Sequence, residues 1–355
     1  MRNRIVLRKH LMNWPTVLSA VSNQQHLTQD QAAWAMQEMM SGIATDAQIA
    51  GFLMALSTKG ETVEELLGLA DAMLAEAVGV ELPSDVLDIV GTGGDRLGTV
   101  NLSTMSSLVA VGAGAKIVKH GNRGSSSTAG AADVIEALGV DLNLTQLRAK
   151  QSLEEAGITF LFAQEYHPSM RYVAPARKQL GVPTAFNYLG PLSNPARAQA
   201  QALGCASEKM APLLAGVLAD RGVRGLVFRG SDGRDKITTS GPSMMFEIRD
   251  GAVEKHELHP QEFGIELVSV ESLAGKDGAY NAGIVREMLA GETGPVRDAV
   301  LLNTAAGLTA YDSNASGHLF DRMRQNMKRA EESIDSGAAQ KVLDNWVKVS
   351  RPYDN

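Results

Sequence analysis

Only one cysteine, Cys205 in "QALGCAS", occurs in 355 residues. That excludes an intramolecular disulfide and a cysteine-rich zinc site. The lone thiol reads as a buried structural group, and the scarcity of cysteine fits a reducing, cytoplasmic setting. No uninterrupted apolar run is long enough to span a bilayer, so no membrane role is expected. The basic N-terminus, "MRNRIVLRKHLMNW", lacks the apolar core and small-residue cleavage site of a signal peptide. Residues 1–11 are expected to be a disordered extension ahead of a helix starting near Met12. A formal charge of −7 gives no general reason to expect nucleic-acid binding, though a local positive site can still take an anion. Familiar motifs are missing as well. "EKHELHPQEF" holds His256, Glu257 and His259 without the HExxH spacing of a zinc protease, and reads as a solvated strand end or loop. There is no Gly-Lys-Ser/Thr phosphate loop, and Arg96 stands where a dinucleotide fingerprint needs its third glycine.

The hydrophobic fraction of 44% and charged fraction of 21% are those of an ordinary globular chain, long enough for two domains or one large one. The first 80 residues read as helices, with capping boxes at Thr28/Gln31, Thr45/Gln48 and Thr62/Glu65. Pro83 breaks that pattern, and strand-like runs then alternate with helical ones. "VLDIV", "KIVKHG", "ITFLF", "PTAFN", "QALGC" and "GLVFRG" read as strands, and "STMSSLVAVGA", "AADVIEALG" and "KMAPLLAGVLADRG" as helices. "QEYHPSMRYVAPARKQLG" looks helical, "FNYLGPLSNP" reads as a linker, and 317–349 as one or two amphipathic helices. The alternation predicts an α/β fold: a small all-helical domain hinged to a larger one with a mainly parallel central sheet flanked by helices. The small domain is expected over 12–80, joined by about 168–194, and the large one over 85–165 and 195–350.

The chemistry concentrates in "DIVGTGGDRLGTVNLST", residues 88–104. In a parallel sheet, loops at the carboxyl ends of strands lead into helix N-termini, where unpaired amides and the positive end of the helix dipole attract phosphate. Gly91, Gly93 and Gly94 are expected to give close backbone approach and positive φ. Ser103 and Thr104 sit where the next helix should start, placed to cap it or to bond a phosphate or a hydrated magnesium ion. A second segment, "KHGNRGSSSTAGAAD", repeats the logic with Lys119 and Arg123, a hydroxyl run, and Gly121, Gly124 and Gly130. Two such loops after neighbouring strands suggest a ligand with more than one phosphate group.

The segments "GTGGD", "NLST" and "KHGNRGSSS" together resemble the signature of the anthranilate phosphoribosyltransferase family. The likeness runs from about Trp14 to Val349 and includes "HPSMRYVAPARKQLGVPTAFNYLGPLSNP" and "GPVRDAVLLNTA". It implies magnesium-assisted transfer of a phosphoribosyl group from phosphoribosyl pyrophosphate to the amino group of anthranilate, in tryptophan biosynthesis, by a cytoplasmic homodimer joined through its helical domains. The resemblance assigns the sugar diphosphate to Gly91, Gly94, Asp95, Thr99, Asn101, Leu102, Ser103, Thr104, Lys119, His120, Gly121, Asn122, Arg123, Gly124, Ser125, Ser126, Ser127 and Ala131. It assigns anthranilate to Gly91, Asn122 and Arg177, with His120 and His167 as further donors, and magnesium (Mg2+) to Ser103 and Asp235. Lys119 would stabilise the leaving group, and no residue is expected to act covalently. A guanidinium at Arg177 suits a carboxylate, which it can grip in a fork.

One position departs from the family pattern. An Asp-Glu pair is usual where this chain has Asp235 and Lys236, and an ammonium has no lone pair for a cation. Arg229 and Arg234 make the neighbourhood more positive still. Three outcomes stand open: Lys236 replaces one magnesium ion, activity persists with a weaker metal requirement, or the reaction is lost and a phosphate- or nucleic-acid-binding role remains. A nucleoside phosphorylase is a further rival, disfavoured by the KHGN loop.

Overall fold

The computed structural model describes residues 12–124 and 129–351. The expected extension 1–11 and the expected ligand residues Ser125, Ser126 and Ser127 therefore lie outside the described residues. These fall into two compact units, one running up to Gly79 and including Gln164–Pro195, the other comprising Val80–Ala163 and the chain from Ala196 onward.

The described residues begin with four helices, α1 (Trp14–Ser22), α2 (Gln29–Met40), α3 (Asp46–Lys59) and α4 (Val63–Ala75). All three capping boxes form at the starts of α2, α3 and α4, each cap contributing roughly 1 kcal/mol. The third does more: the carboxylate of Glu65 is buried, and it accepts from the Leu27 amide and the Lys59 ammonium, tying α3 and α4 to the turn before α2. Trp14 packs beside Trp34 and Phe52, and Met36, Met39 and Met40 of α2 are fully buried in the core of this unit.

The α/β unit then opens with β1 (Leu87–Gly91), α5 (Leu102–Gly112), β2 (Ile117–Gly121), α6 (Ala131–Leu138), α7 (Gln146–Ala156) and β3 (Ile158–Phe162). After β3 the chain returns to the helical unit for α8 (Ala174–Leu180) and α9 (Phe186–Leu189). It re-enters the α/β unit with β4 (Ala200–Gly204), α10 (Met210–Asp220), β5 (Arg224–Gly230), β6 (Ser243–Arg249) and β7 (Ala252–Leu258). Helices α11 (Gly278–Leu289), α12 (Pro295–Tyr311), α13 (Leu319–Asp335) and α14 (Ala338–Ser350) complete it, the last two forming the expected amphipathic tail.

The sheet order is β3-β2-β1-β4-β5-β6-β7, parallel through β5 and antiparallel at β6 and β7. The period-2 alternation puts Leu87, Ile89, Ile117, Ile158, Phe160, Ala200, Ala202, Leu226 and Phe228 into one core with Met105, Leu108 and Val109 of α5 and Val300 and Leu302 of α12. Chain order makes β1 and β4 a switch point: the chain builds outward from β1 to β3, leaves, and restarts on the other side of β1. In open parallel sheets, ligands bind beyond the carboxyl ends of the strands at such a point.

Three sequence expectations need correction. "PTAFN" is not a strand and "FNYLGPLSNP" is not a linker: 186–192 form α9 and a 3-10 turn with Phe186, Leu189, Pro191 and Leu192 buried. "QEYHPSMRYVAPARKQLG" is not one helix, because Pro168 and Pro175 each begin a new helical start. The antiparallel hairpin β6–β7 has little sequence signal in its second strand, since β7 is mostly exposed and lacks an apolar face.

Candidate active site

Strand β1 ends at Gly91, hydrogen-bonded in register with Gly204 at the end of β4. Both glycines face the same object. A Cβ at Gly91 would collide with the Asp235 carboxylate, and one at Gly204 with the Asp235 main-chain carbonyl. Gly91 therefore serves close approach rather than positive φ, contrary to the expectation. Positive φ belongs to Gly93 (67°) and Gly94 (84°), which turn the chain away from the strand. Asp235 fixes that turn by accepting from the Gly93 amide at 2.8 Å.

Ser103 and Thr104 do not cap the following helix. Asn101 is the N-cap of α5, and it makes no side-chain cap. Its amide instead donates to the Ala129 carbonyl (3.2 Å) and accepts from Asn281 (2.8 Å). No acidic residue lies in the first turn of α5. The positive end of that helix is thus left uncompensated, the arrangement that attracts an anion. Leu102 and Thr104 are buried, while Ser103 is half-exposed. Thr99 holds the Arg234 guanidinium with its hydroxyl (3.0 Å).

Alternation along β2 places Lys119 on the same sheet face as Ile117. Lys119 is 1% exposed; its Nζ donates to the Ile89 carbonyl (2.5 Å) and the Ser103 hydroxyl (3.2 Å). Burial brings its pKa down to about 8, against the opposing pull of the Asp88 and Asp235 carboxylates. A buried ammonium thus stands directly against the open start of α5.

The second loop is built differently. Asp133 of α6 accepts from the amides of Gly124 (2.9 Å) and Gly130 (2.8 Å), so that helix start already carries an anion of its own. Arg123 is turned to Asp133 (3.1 Å) and Glu136 (2.8 Å) rather than held free for phosphate. Gly121 ends β2, Ala131 begins α6, Asn122 is exposed with Oδ1 accepting from the Arg123 amide, and His120 is buried in β2. Among the described residues, the start of α5 is open, whereas the start of α6 is compensated by Asp133.

Asp95 and Asp235 converge on Lys236. The Lys236 ammonium donates to Asp95 Oδ2 at 3.1 Å and to Asp235 Oδ1. Burial acts to raise Asp95, and Lys236 overrides it and holds that carboxyl low. Burial pushes Asp235 up, opposed by Lys236 and the Gly93 amide. Lys236 itself is raised, because the two carboxylates outweigh the cost of burial. Arg234 adds no free charge: it is fully buried and bonded to Asp232 (2.7 Å), Thr99 and the Val270 carbonyl. Arg229 reaches back to the Ala206 carbonyl at 2.9 Å.

The anthranilate candidates of the helical unit stand by themselves. Arg177, in α8, lies over the Phe186 ring at 5.1 Å and has no carboxylate partner among the described residues. Burial lowers its pKa. His167 is buried, its Nε2 donates to the Ser193 carbonyl (2.9 Å), and burial lowers its pKa, which suits a neutral structural role.

Sequence reasoning missed Gly204 and Asn281, whose roles depend on residues far away along the chain, Asp235 for the first and Asn101 for the second. A cavity of about 350 Å³ lies at the opposite ends of β5 and β6. Its arginines Arg224, Arg249 and Arg322 are paired with Asp85, Asp250 and Glu247, so it offers no uncompensated charge.

Two family models match this chain: the helical bundle domain of a glycosyl transferase family over residues 15–77, and its a/b domain over 83–340. Anthranilate phosphoribosyltransferase of Arthrobacter sp. (strain FB24) is 60% identical over 95% of this chain and 96% of its own length. The crystal structure of the Thermus thermophilus enzyme of that name superposes with a TM-score of 0.87 at 39% identity, covering 95% of this chain and 99% of the other. The Saccharomyces cerevisiae enzyme, solved in complex with PRPP and Mg, gives 0.84 at 30% identity over 96% and 99%. The chain belongs to the anthranilate phosphoribosyltransferase family.

Proposed function

We propose that this protein transfers the phosphoribosyl group of phosphoribosyl pyrophosphate to the amino group of anthranilate, releasing pyrophosphate. The observation that carries the reading is the uncapped start of α5 at the β1/β4 switch point, with the buried Lys119 ammonium against it. Relatives named for this activity match over nearly the whole chain, which supports an active transferase over a catalytically impaired family member.

In this reading the α5 amides and Lys119 take the diphosphate, and the Gly93–Gly94 turn lets backbone approach it. The neutral aromatic amine attacks the anomeric carbon as its bond to the diphosphate oxygen breaks. The new C–N bond forms, and the amine proton passes to solvent. Because the amine needs no strong base, the protein's work is alignment and stabilisation of the departing negative charge. Arg177 is proposed to take the anthranilate carboxylate with a fork of N–H donors. Asn122 is proposed near the amine, whereas Arg123 and His167 serve structure first.

Magnesium bound to the diphosphate supplies positive charge to the leaving group. Ser103 fits such an ion: its single hydroxyl is too few donors for a bare cation but suits one arriving on phosphate oxygens with its own waters. Asp235 does not fit, because the Lys236 ammonium already holds it.

The reading includes a homodimer formed through the helical unit and a cytoplasmic location. Exposed Ile43, Met54, Tyr172 and Val182 on that unit support the dimer; light scattering at twice the chain mass is the expected result. No described helix is long and apolar enough to cross a membrane. Calorimetry tests the site itself: phosphoribosyl pyrophosphate with magnesium should bind with measurable heat, and a folded protein showing none would overturn the assignment.

A further inference from the structure

Lys236 sits where two carboxylates meet. Its ammonium bonds Asp95 Oδ2 and Asp235 Oδ1, with 17%, 9% and 6% of the three side chains exposed. The other oxygen of each carboxylate is committed to the glycine-rich turn: Asp95 Oδ1 accepts from the Leu97 amide (3.2 Å) and Asp235 Oδ2 from the Gly93 amide (2.8 Å). Both are therefore aimed by backbone, and their remaining oxygens converge on one point. Two fixed carboxylate oxygens around one point are the makings of a divalent-cation position. An ammonium and a metal ion cannot share it, since the ammonium offers donors and no lone pair.

We infer that the Lys236 ammonium is a resident cation of this site, occupying the place of a divalent ion between Asp95 and Asp235. The protein then binds no divalent cation there, and the ion that assists the reaction arrives with the sugar diphosphate at Ser103. Two of the three N–H donors of Lys236 go to the carboxylates, which leaves one for a phosphate oxygen. The clause concerning the sugar diphosphate rests on the proposed function; the claim that the Asp95–Asp235 point is closed to metal does not.

The test counts ions rather than turnover. Mn2+ is titrated into the purified full-length protein, and free ion is read by electron paramagnetic resonance, with and without phosphoribosyl pyrophosphate. Without the sugar, the native protein binds no Mn2+ at this point, whereas Lys236→Gln and Lys236→Glu each bind one ion, the glutamate at least about tenfold more tightly than the glutamine. With the sugar, the native protein holds one ion and Lys236→Glu holds two. A native protein that binds Mn2+ without the sugar at these carboxylates, with the ion lost in Asp235→Asn, overturns the inference. So does a folded pair of variants that binds no more Mn2+ than the native protein. Circular dichroism confirms folding of both variants, and the neutral glutamine keeps the test decisive if the glutamate misfolds. Failure of the native protein to bind the sugar at all would instead remove the proposed function and leave the sugar-free comparison standing.

Discussion

Lys119 gives the account its most quantitative handle. Folding buries the ammonium and lowers its pKa from 10.5 to about 8. At about 1.36 kcal/mol per pH unit, that fall corresponds to about 3 kcal/mol of stability forgone while the lysine stays charged. Below pH 8 both folded and unfolded chains carry the proton, so the full cost is present. Between pH 8 and 10.5 the unfolded lysine keeps a proton that the folded one has lost, so this group makes stability rise with pH. A bound diphosphate reverses the preference by favouring the ammonium. Affinity for phosphoribosyl pyrophosphate should be nearly flat from about pH 7 to 8 and then fall, with proton uptake approaching one per ligand bound well above pH 8. From pH 7.5 to 9.5, where the phosphate groups (pKa about 6) are already ionised, the loss is about 25-fold. Calorimetry in two buffers of different ionisation enthalpy reads both the affinity and the proton uptake. Lys119→Met should bind weakly at pH 7.5 and show a flat profile. A native profile that changes less than about threefold, with no proton uptake, would refute the claim that this ammonium holds the diphosphate.

Three further outcomes follow from packing and charge. Gly91→Ala drives a methyl into the Asp235 carboxylate; it should cost about 1–3 kcal/mol in chemical denaturation and weaken sugar-diphosphate binding, while Gly51→Ala, whose added methyl would meet only an ordinary contact with Leu18, should do neither. Arg177→Lys replaces a fork by a point charge, so KM for anthranilate should rise about tenfold with KM for the sugar diphosphate unchanged. Burial raises the Cys205 thiol to about 11; at pH 8 roughly one molecule in a thousand is thiolate, so a thiol reagent should label it only on unfolding.

Much of this was legible because it is local. The capping boxes of α2, α3 and α4 join residues three apart, and the strands β1 to β5 carry short apolar runs that periodicity detects. The open helix start was legible only in outline. From sequence the cap falls at Ser103 and Thr104; the N-cap is Asn101, and it fails to cap because Asn281 and Ala129 claim its side chain. From sequence Arg234 only adds positive charge beside Lys236, yet Asp232, Thr99 and Val270 draw it wholly inside. The pairing of Gly91 with Gly204, and the aspartate seated over both, depends on a strand order that no local pattern encodes. The 186–192 segment misleads in the opposite direction: glycine and proline suggest a linker, while tertiary burial makes a compact turn of it.

The most direct measurement is turnover itself. Purified protein is mixed with anthranilate, phosphoribosyl pyrophosphate and magnesium, and the fluorescence of anthranilate is followed alongside released pyrophosphate. Fluorescence should fall only when all three are present, with one pyrophosphate appearing for each anthranilate consumed. Unchanged fluorescence from folded protein that binds both substrates would contradict it.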